Sequence, residues 1–171
     1  MKAKKAIKIS LVLLFVSVLT SCTPAVKEVE VDREAGEYVA SGTKYTIGSD
    51  EKAEIVKKVL ISYAAMDAES VFSHFRDSII FSSYNSKEET KMNVEMLKEE
   101  FSNYDSIISS PVYFLPYKQA GSNREFVNVT TLETKYKKNG EVEVDRFLAM
   151  FLFGDDDKIY KIRQFRTEWQ K

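Results

Sequence analysis

Apolar and polar positions recur with two different periods along this 171-residue chain, and the change of period divides it. Ile55, Val56, Val59, Leu60 and Tyr63 fall at i, i+1, i+4, i+5 and i+8, a broad stripe that predicts a core-facing helix. Ser49 or Asp50 is placed to cap it, with Glu51 and Glu54 in the first turn, where negative charge suits the helix dipole. The pattern ends near Ala65-Met66. Asp67 then predicts a second, short helix whose Val71, Phe72 and Phe75 share a face and which carries His74 mid-helix; Ser78 to Phe81 reads as a strand. Ser86-Lys87-Glu88-Glu89 has the form of a capping box and predicts a third helix to about Tyr104. Val94, Leu97 and Phe101 would face the core, with Met92 and Met96 along the flank.

From Asp105 the period falls to two. Ile107 to Tyr117 predicts a strand, with Pro111 and Pro116 forcing part of it to an edge or a bulge. Glu125 to Lys137, Val142 to Phe153 and Lys158 to Glu168 complete a meander, turned at Gly121-Ser122-Asn123, at Asn139-Gly140 and at Gly154 to Asp157. Helices followed by an antiparallel meander are an α+β pattern.

The N-terminus adds an address. Lys2, Lys4, Lys5 and Lys8 precede the apolar run Leu11 to Leu19, too short to span a bilayer comfortably. Leu19-Thr20-Ser21-Cys22 resembles the lipobox of bacterial lipoproteins. The resemblance implies cleavage after residue 21, acylation of Cys22 and membrane attachment through that lipid. Cys22 is the sole cysteine, so no disulfide within the chain is available and the exported domain must stand on its core. Removal of residues 1–21 leaves 150 residues, with 21 basic against 26 acidic side chains and a net charge of −5. That balance argues against nucleic acid as a partner. Residues 22–49 read as the lipidated cysteine and a charge-rich, glycine-interrupted linker, with some strand character in Tyr38, Val39, Tyr45 and Ile47. Thr23, not an acid, follows the cysteine, which points to the outer membrane, periplasmic side, within the cell envelope.

The first helix, the stretch MDAESVFSHFRDSIIF (66–81), the third helix and the stretch FLAMFLFGDDDKIYKIRQF (147–165) together resemble the NTF2-like (SnoaL-like) superfamily over residues 50–168. The resemblance implies a cone: a curved antiparallel sheet with three helices on its concave face and a pocket between them, formed by a domain at 50–171. It also permits a test of chemistry. In the steroid-isomerase branch a tyrosine and an acid form an oxyanion hole and a second acid is the base. Those positions fall here on Val59, Ala149 and Ser83. A valine and an alanine donate no hydrogen bond, and an isolated serine is no base at neutral pH.

Other chemistry is sparse. His74 is the single histidine, so with Cys22 acylated a zinc site of the usual ligands is not expected, and no cofactor or metal is implied. Asp155-Asp156-Asp157 lacks the glycine and distal glutamate of a calcium loop and reads as a solvated turn. The aromatic supply is richer: Tyr63, Phe75, Phe81, Tyr84, Tyr113 and Phe147 lie on elements that wall the cone in this superfamily, with Arg146 and Arg163 as polar handles. Three readings stay open. The favoured one is a non-catalytic lipoprotein domain binding a small amphipathic ligand, in an arrangement open to homodimer formation. The others are an enzyme with a non-standard site, using Tyr63 or Tyr84 with Asp67 or His74, and an interaction module of the envelope.

Overall fold

The structure is a computed structural model that describes residues 34–83 and 88–168. The stretch 1–21, expected to be a signal, and Cys22, Tyr84, Ser86 and Lys87 lie outside the described residues. Asp32–Lys171 forms one compact unit that contains every element described below.

Strands β1 (Glu34–Tyr38) and β2 (Thr43–Ile47) form an antiparallel hairpin ahead of residue 50, where the domain was expected to begin. β2 joins the rest of the sheet through Tyr45 to Ile47 against Tyr117 to Gln119. Gly48 follows at a close approach: a Cβ there would lie 2.7 Å from the Tyr117 backbone nitrogen, so only glycine passes.

Helix α1 (Asp50–Ala64) starts at Ser49, whose Oγ accepts from the Glu51 N–H at 3.1 Å. Its expected stripe faces inward, with Val56, Val59 and Leu60 buried and Ile55 and Tyr63 packed beside them. Met66 takes a positive φ (55°) and turns the chain into α2 (Ala68–Phe72). Asp67 caps α2, accepting from the Ser70 N–H at 3.0 Å and the Ser70 hydroxyl at 2.6 Å. The helix is shorter than expected. His74 is not mid-helix but sits in the turn after it, where its carbonyl accepts from the Ile159 N–H at 3.1 Å. Phe75 opens β3 (Phe75–Ser83), drawn into the sheet by parallel pairing with Ile159.

The third helix, expected to run on from Ser86 to Glu89, does not include the described residues Glu89 to Met92. Glu89–Met92 is strand β4, paired antiparallel with β3, and its Glu89 holds the Lys161 ammonium. Here a non-local ladder overrides a local helix signal. Helix α3 (Val94–Phe101) starts instead at Asn93, whose Oδ1 accepts from the Met96 N–H at 3.0 Å. Leu97 and Phe101 are buried as the spacing requires.

β5 (Tyr104–Gln119) runs longer than predicted and pairs along its length with β6 (Glu125–Lys137). Its other edge meets β2 only at Tyr117 to Gln119, and its register slips between Pro111 and Tyr113, which accommodates the prolines. β6 and β7 (Val142–Phe153) keep their predicted limits, joined through Gly140 at φ 88°. β8 (Ile159–Glu168) closes the chain.

The sheet runs β1-β2-β5-β6-β7-β8-β3-β4. It is antiparallel except at β8–β3, curved and unclosed, with the helices packed on one face. Val56, Ile79, Val127, Val129 and Ile159 are fully buried between the layers, each contributing about 2 kcal/mol.

Candidate functional site

Alternation along β6 builds the site. Val127, Val129, Thr131, Glu133 and Lys135 share the concave face, so this face changes within one strand from apolar to charged. On β7 the same parity presents Asp145, Phe147, Ala149 and Phe151. Val129 to Lys135 on that face of β6 and Phe147, Ala149 and Phe151 on β7, with residues of α1, α2, α3, β3 and β8, enclose a cavity of about 400 Å³. Val59, Leu60, Val71, Phe75, Ile79 and Phe151 line its apolar part; Tyr63, Glu100, Glu133, Lys135, Gln164 and Arg166 line its polar part.

The polar part is an ordered set of charges. The Lys135 ammonium lies 3.6 Å from the Glu133 carboxylate, an ion pair longer than a hydrogen bond. It also stands 5.6 Å from the Tyr63 ring, 5.7 Å from Tyr104 and 5.6 Å from Phe147, within cation–π range of all three. Two strands over, Arg166 of β8 reaches Asp145 at 2.8 Å and Glu143 at 4.0 Å. Burial raises Glu133 above the ordinary carboxylate range, partly offset by Lys135. Burial also raises the Tyr63 phenol, with Lys135 opposing, and leaves Tyr63 neutral at pH 7. For Lys135 burial acts downward, but the Tyr63 oxygen and the Glu133 carboxylate outweigh it and raise the amine, which stays charged.

The predicted pocket residues divide. Tyr63, Phe75, Phe81 and Phe147 line the cavity. Tyr113 does not: the slip between Pro111 and Tyr113 leaves its ring 45% exposed on the other face. Arg146 and Arg163 also project from the outer face, because their neighbours Phe147 and Ile162 take the cavity parity. Val59, Ser83 and Ala149, the three steroid-isomerase positions, all line the cavity, and none carries the group that chemistry needs. His74 and Asp67 lie off it; burial and then Lys158 and Lys58 lower His74, and Asp67 is spent on its cap. Glu133, Lys135 and Gln164 were missed. The signal for the first two was present, since they share the parity of Val127 and Val129 in a strand whose limits were read correctly.

No family model and no curated protein sequence matches this chain. Solved structures do. A SnoaL-like protein of unknown function from Burkholderia thailandensis superposes with a TM-score of 0.51 at 14% identity, over 71% of this chain and 98% of its own. AusH from Aspergillus nidulans gives 0.54 at 14% identity, over 73% and 89%. A ketosteroid isomerase-like protein from Erwinia carotovora atroseptica gives 0.51 at 13% identity, over 68% and 94%. At such identities the likeness speaks to fold and not to chemistry. The fold of this chain is the NTF2-like, SnoaL-like cone.

Proposed function

We propose that this domain is a non-catalytic binding module that holds one small amphipathic molecule in its cone. We place it on an exported bacterial lipoprotein, anchored through Cys22 to the periplasmic side of the outer membrane. The observation that carries the binding reading is the cavity itself. About 400 Å³ lies within the range of small-molecule sites, and its lining passes from apolar to charged along a single strand. The amino acids at Val59, Ser83 and Ala149 favour binding over isomerase chemistry, and His74 and Asp67 stand away from the cavity. The lysine-rich start, the apolar run and Leu19 to Cys22 support the anchor.

One experiment tests both halves: native mass spectrometry of the full-length gene product purified gently from membranes, repeated after denaturation. The denatured mass should equal residues 22–171 plus acyl chains. The native mass should exceed it by a reproducible small molecule. An uncleaved, unacylated chain would overturn the anchor, and identical native and denatured masses from several preparations would count against the ligand.

The outer face supports a second, compatible reading as a homodimer. Tyr113, Thr130, Leu148 and Phe165 form one cross-strand row there, and Tyr113, Leu148 and Phe165 are each more than 40% exposed.

A further inference from the structure

The binding reading leaves the ligand's head group open, and the geometry of the polar wall narrows it. The Lys135 ammonium stands 5.6 Å from the centre of the Tyr63 ring, and an ammonium can only donate, so it cannot accept from the phenol. The phenol proton of Tyr63 is therefore directed elsewhere, and among the described residues no oxygen accepts it. It is a donor at the cavity wall, sharpened by the cation beside it. The charges around it are already answered. Lys135 faces Glu133, Arg166 is held by Asp145 and Glu143, and Glu100 adds another carboxylate to the lining. Glu100 and Glu133 thus stand on the cavity wall against Lys135 and Arg166, and Asp145 and Glu143 already hold Arg166 from behind. An incoming anion would be desolvated beside Glu133 and would compete with it for Lys135. A neutral oxygen acceptor meets neither obstacle.

We infer that Tyr63 donates to an uncharged oxygen of the ligand while Glu133 excludes an anionic head group, so that the cavity holds neutral amphiphiles, such as acyl esters, in preference to the corresponding free acids. The inference rests on the binding reading above. Val59, Leu60, Val71, Ile79 and Phe151 receive the hydrocarbon body.

The test is calorimetric titration of Asp32–Lys171, the compact unit, with methyl decanoate and with decanoate, each below its aggregation threshold. An ester enters any apolar site more easily than its acid, so the decisive quantity is the change in the ester-to-acid ratio on substitution. Tyr63→Phe keeps the ring packed on Phe101 (centroids 5.3 Å apart) and removes the hydroxyl. It should weaken the ester about tenfold, the upper end of what one neutral hydrogen bond contributes. Glu133→Gln should strengthen decanoate about tenfold and leave the ester within twofold. A Tyr63→Phe protein that binds the ester as well as the parent overturns the inference, as does a Glu133→Gln protein that still discriminates as the parent does. Melting curves establish that each variant is folded; if Glu133→Gln is not, Tyr63→Phe decides alone. Binding of both probes with no dependence on either residue leaves the cavity reading standing and removes this one. No binding of either probe removes both.

Discussion

Lys135 shows how much a single position can depend on the parity of its strand. Its ammonium is set among three aromatic rings and a carboxylate on the concave face, where a run of Val127 and Val129 would lead one to expect another aliphatic side chain. Tyr63 and Lys135 both hold their protons in the folded chain at a pH where the unfolded chain has begun to release them. The folded state then binds more protons than the unfolded one. The stability these groups contribute is whole below their unfolded values, near 10, and is lost as pH rises beyond them. Melting temperature should therefore fall between about pH 9.5 and pH 11. Tyr63→Phe, which removes one of the two protons, should make the fall shallower. Equal slopes in parent and variant would show that Tyr63 is not held neutral by the fold. Arg146 and Arg163 illustrate the converse. Their charge suggested a cavity handle, but the parity of Phe147 and Ile162 excludes it, and that parity was readable in the sequence once the strands were placed. Tyr113 was less legible, since a bulge at Pro111 to Tyr113 resets the alternation without a local signature of its exact position.

Elements were legible where local and distant forces agree. α1, β6 and β7 have an unambiguous period and flanking turn or cap residues, and they kept their predicted limits to within two residues. Glu88 to Met92 did not, because a local Ser-x-x-Glu pattern competes there with pairing to β3, and the ladder depends on a partner strand that local sequence does not display. The cap of α3 consequently moved to Asn93. Asn93→Ala should cost about 1 kcal/mol of unfolding free energy in urea titrations, with an unchanged slope, because the Met96 N–H loses its acceptor. An unaffected midpoint would argue that α3 is not started there. The β3–β8 seam is the other non-local element. Ile159 is fully buried at its first register pair, and its N–H bonds the His74 carbonyl. Ile159→Ala should cost about 3 kcal/mol through the cavity it leaves, and a loss below 1 kcal/mol would mean that the seam repacks around the smaller side chain.

At the scale of the molecule, the same alternation that builds a cavity on one face decorates the other. Positions that face away from the cone on four adjacent strands include Tyr113, Thr130, Leu148 and Phe165, with Leu115 and Ile108 also exposed along β5. A sheet whose second face were meant only for water would alternate apolar with charged groups more strictly. Four strands span roughly 15–20 Å across, and a patch of that width and a strand's length approaches the ~800 Å² per partner that stable association needs. A twofold pairing of this face with itself brings the same residues together on both sides, so one substitution acts twice. The parent unit should sediment as a dimer at high micromolar concentration. Leu148→Glu should make it a monomer while leaving its melting temperature at low concentration nearly unchanged, because Leu148 is 42% exposed and packs little in the monomer. The cavity should survive that change, since Phe147 and Ala149, on either side of Leu148, point the other way. A parent that sediments as a monomer at every concentration would remove the dimer and leave the cone to bind its ligand alone.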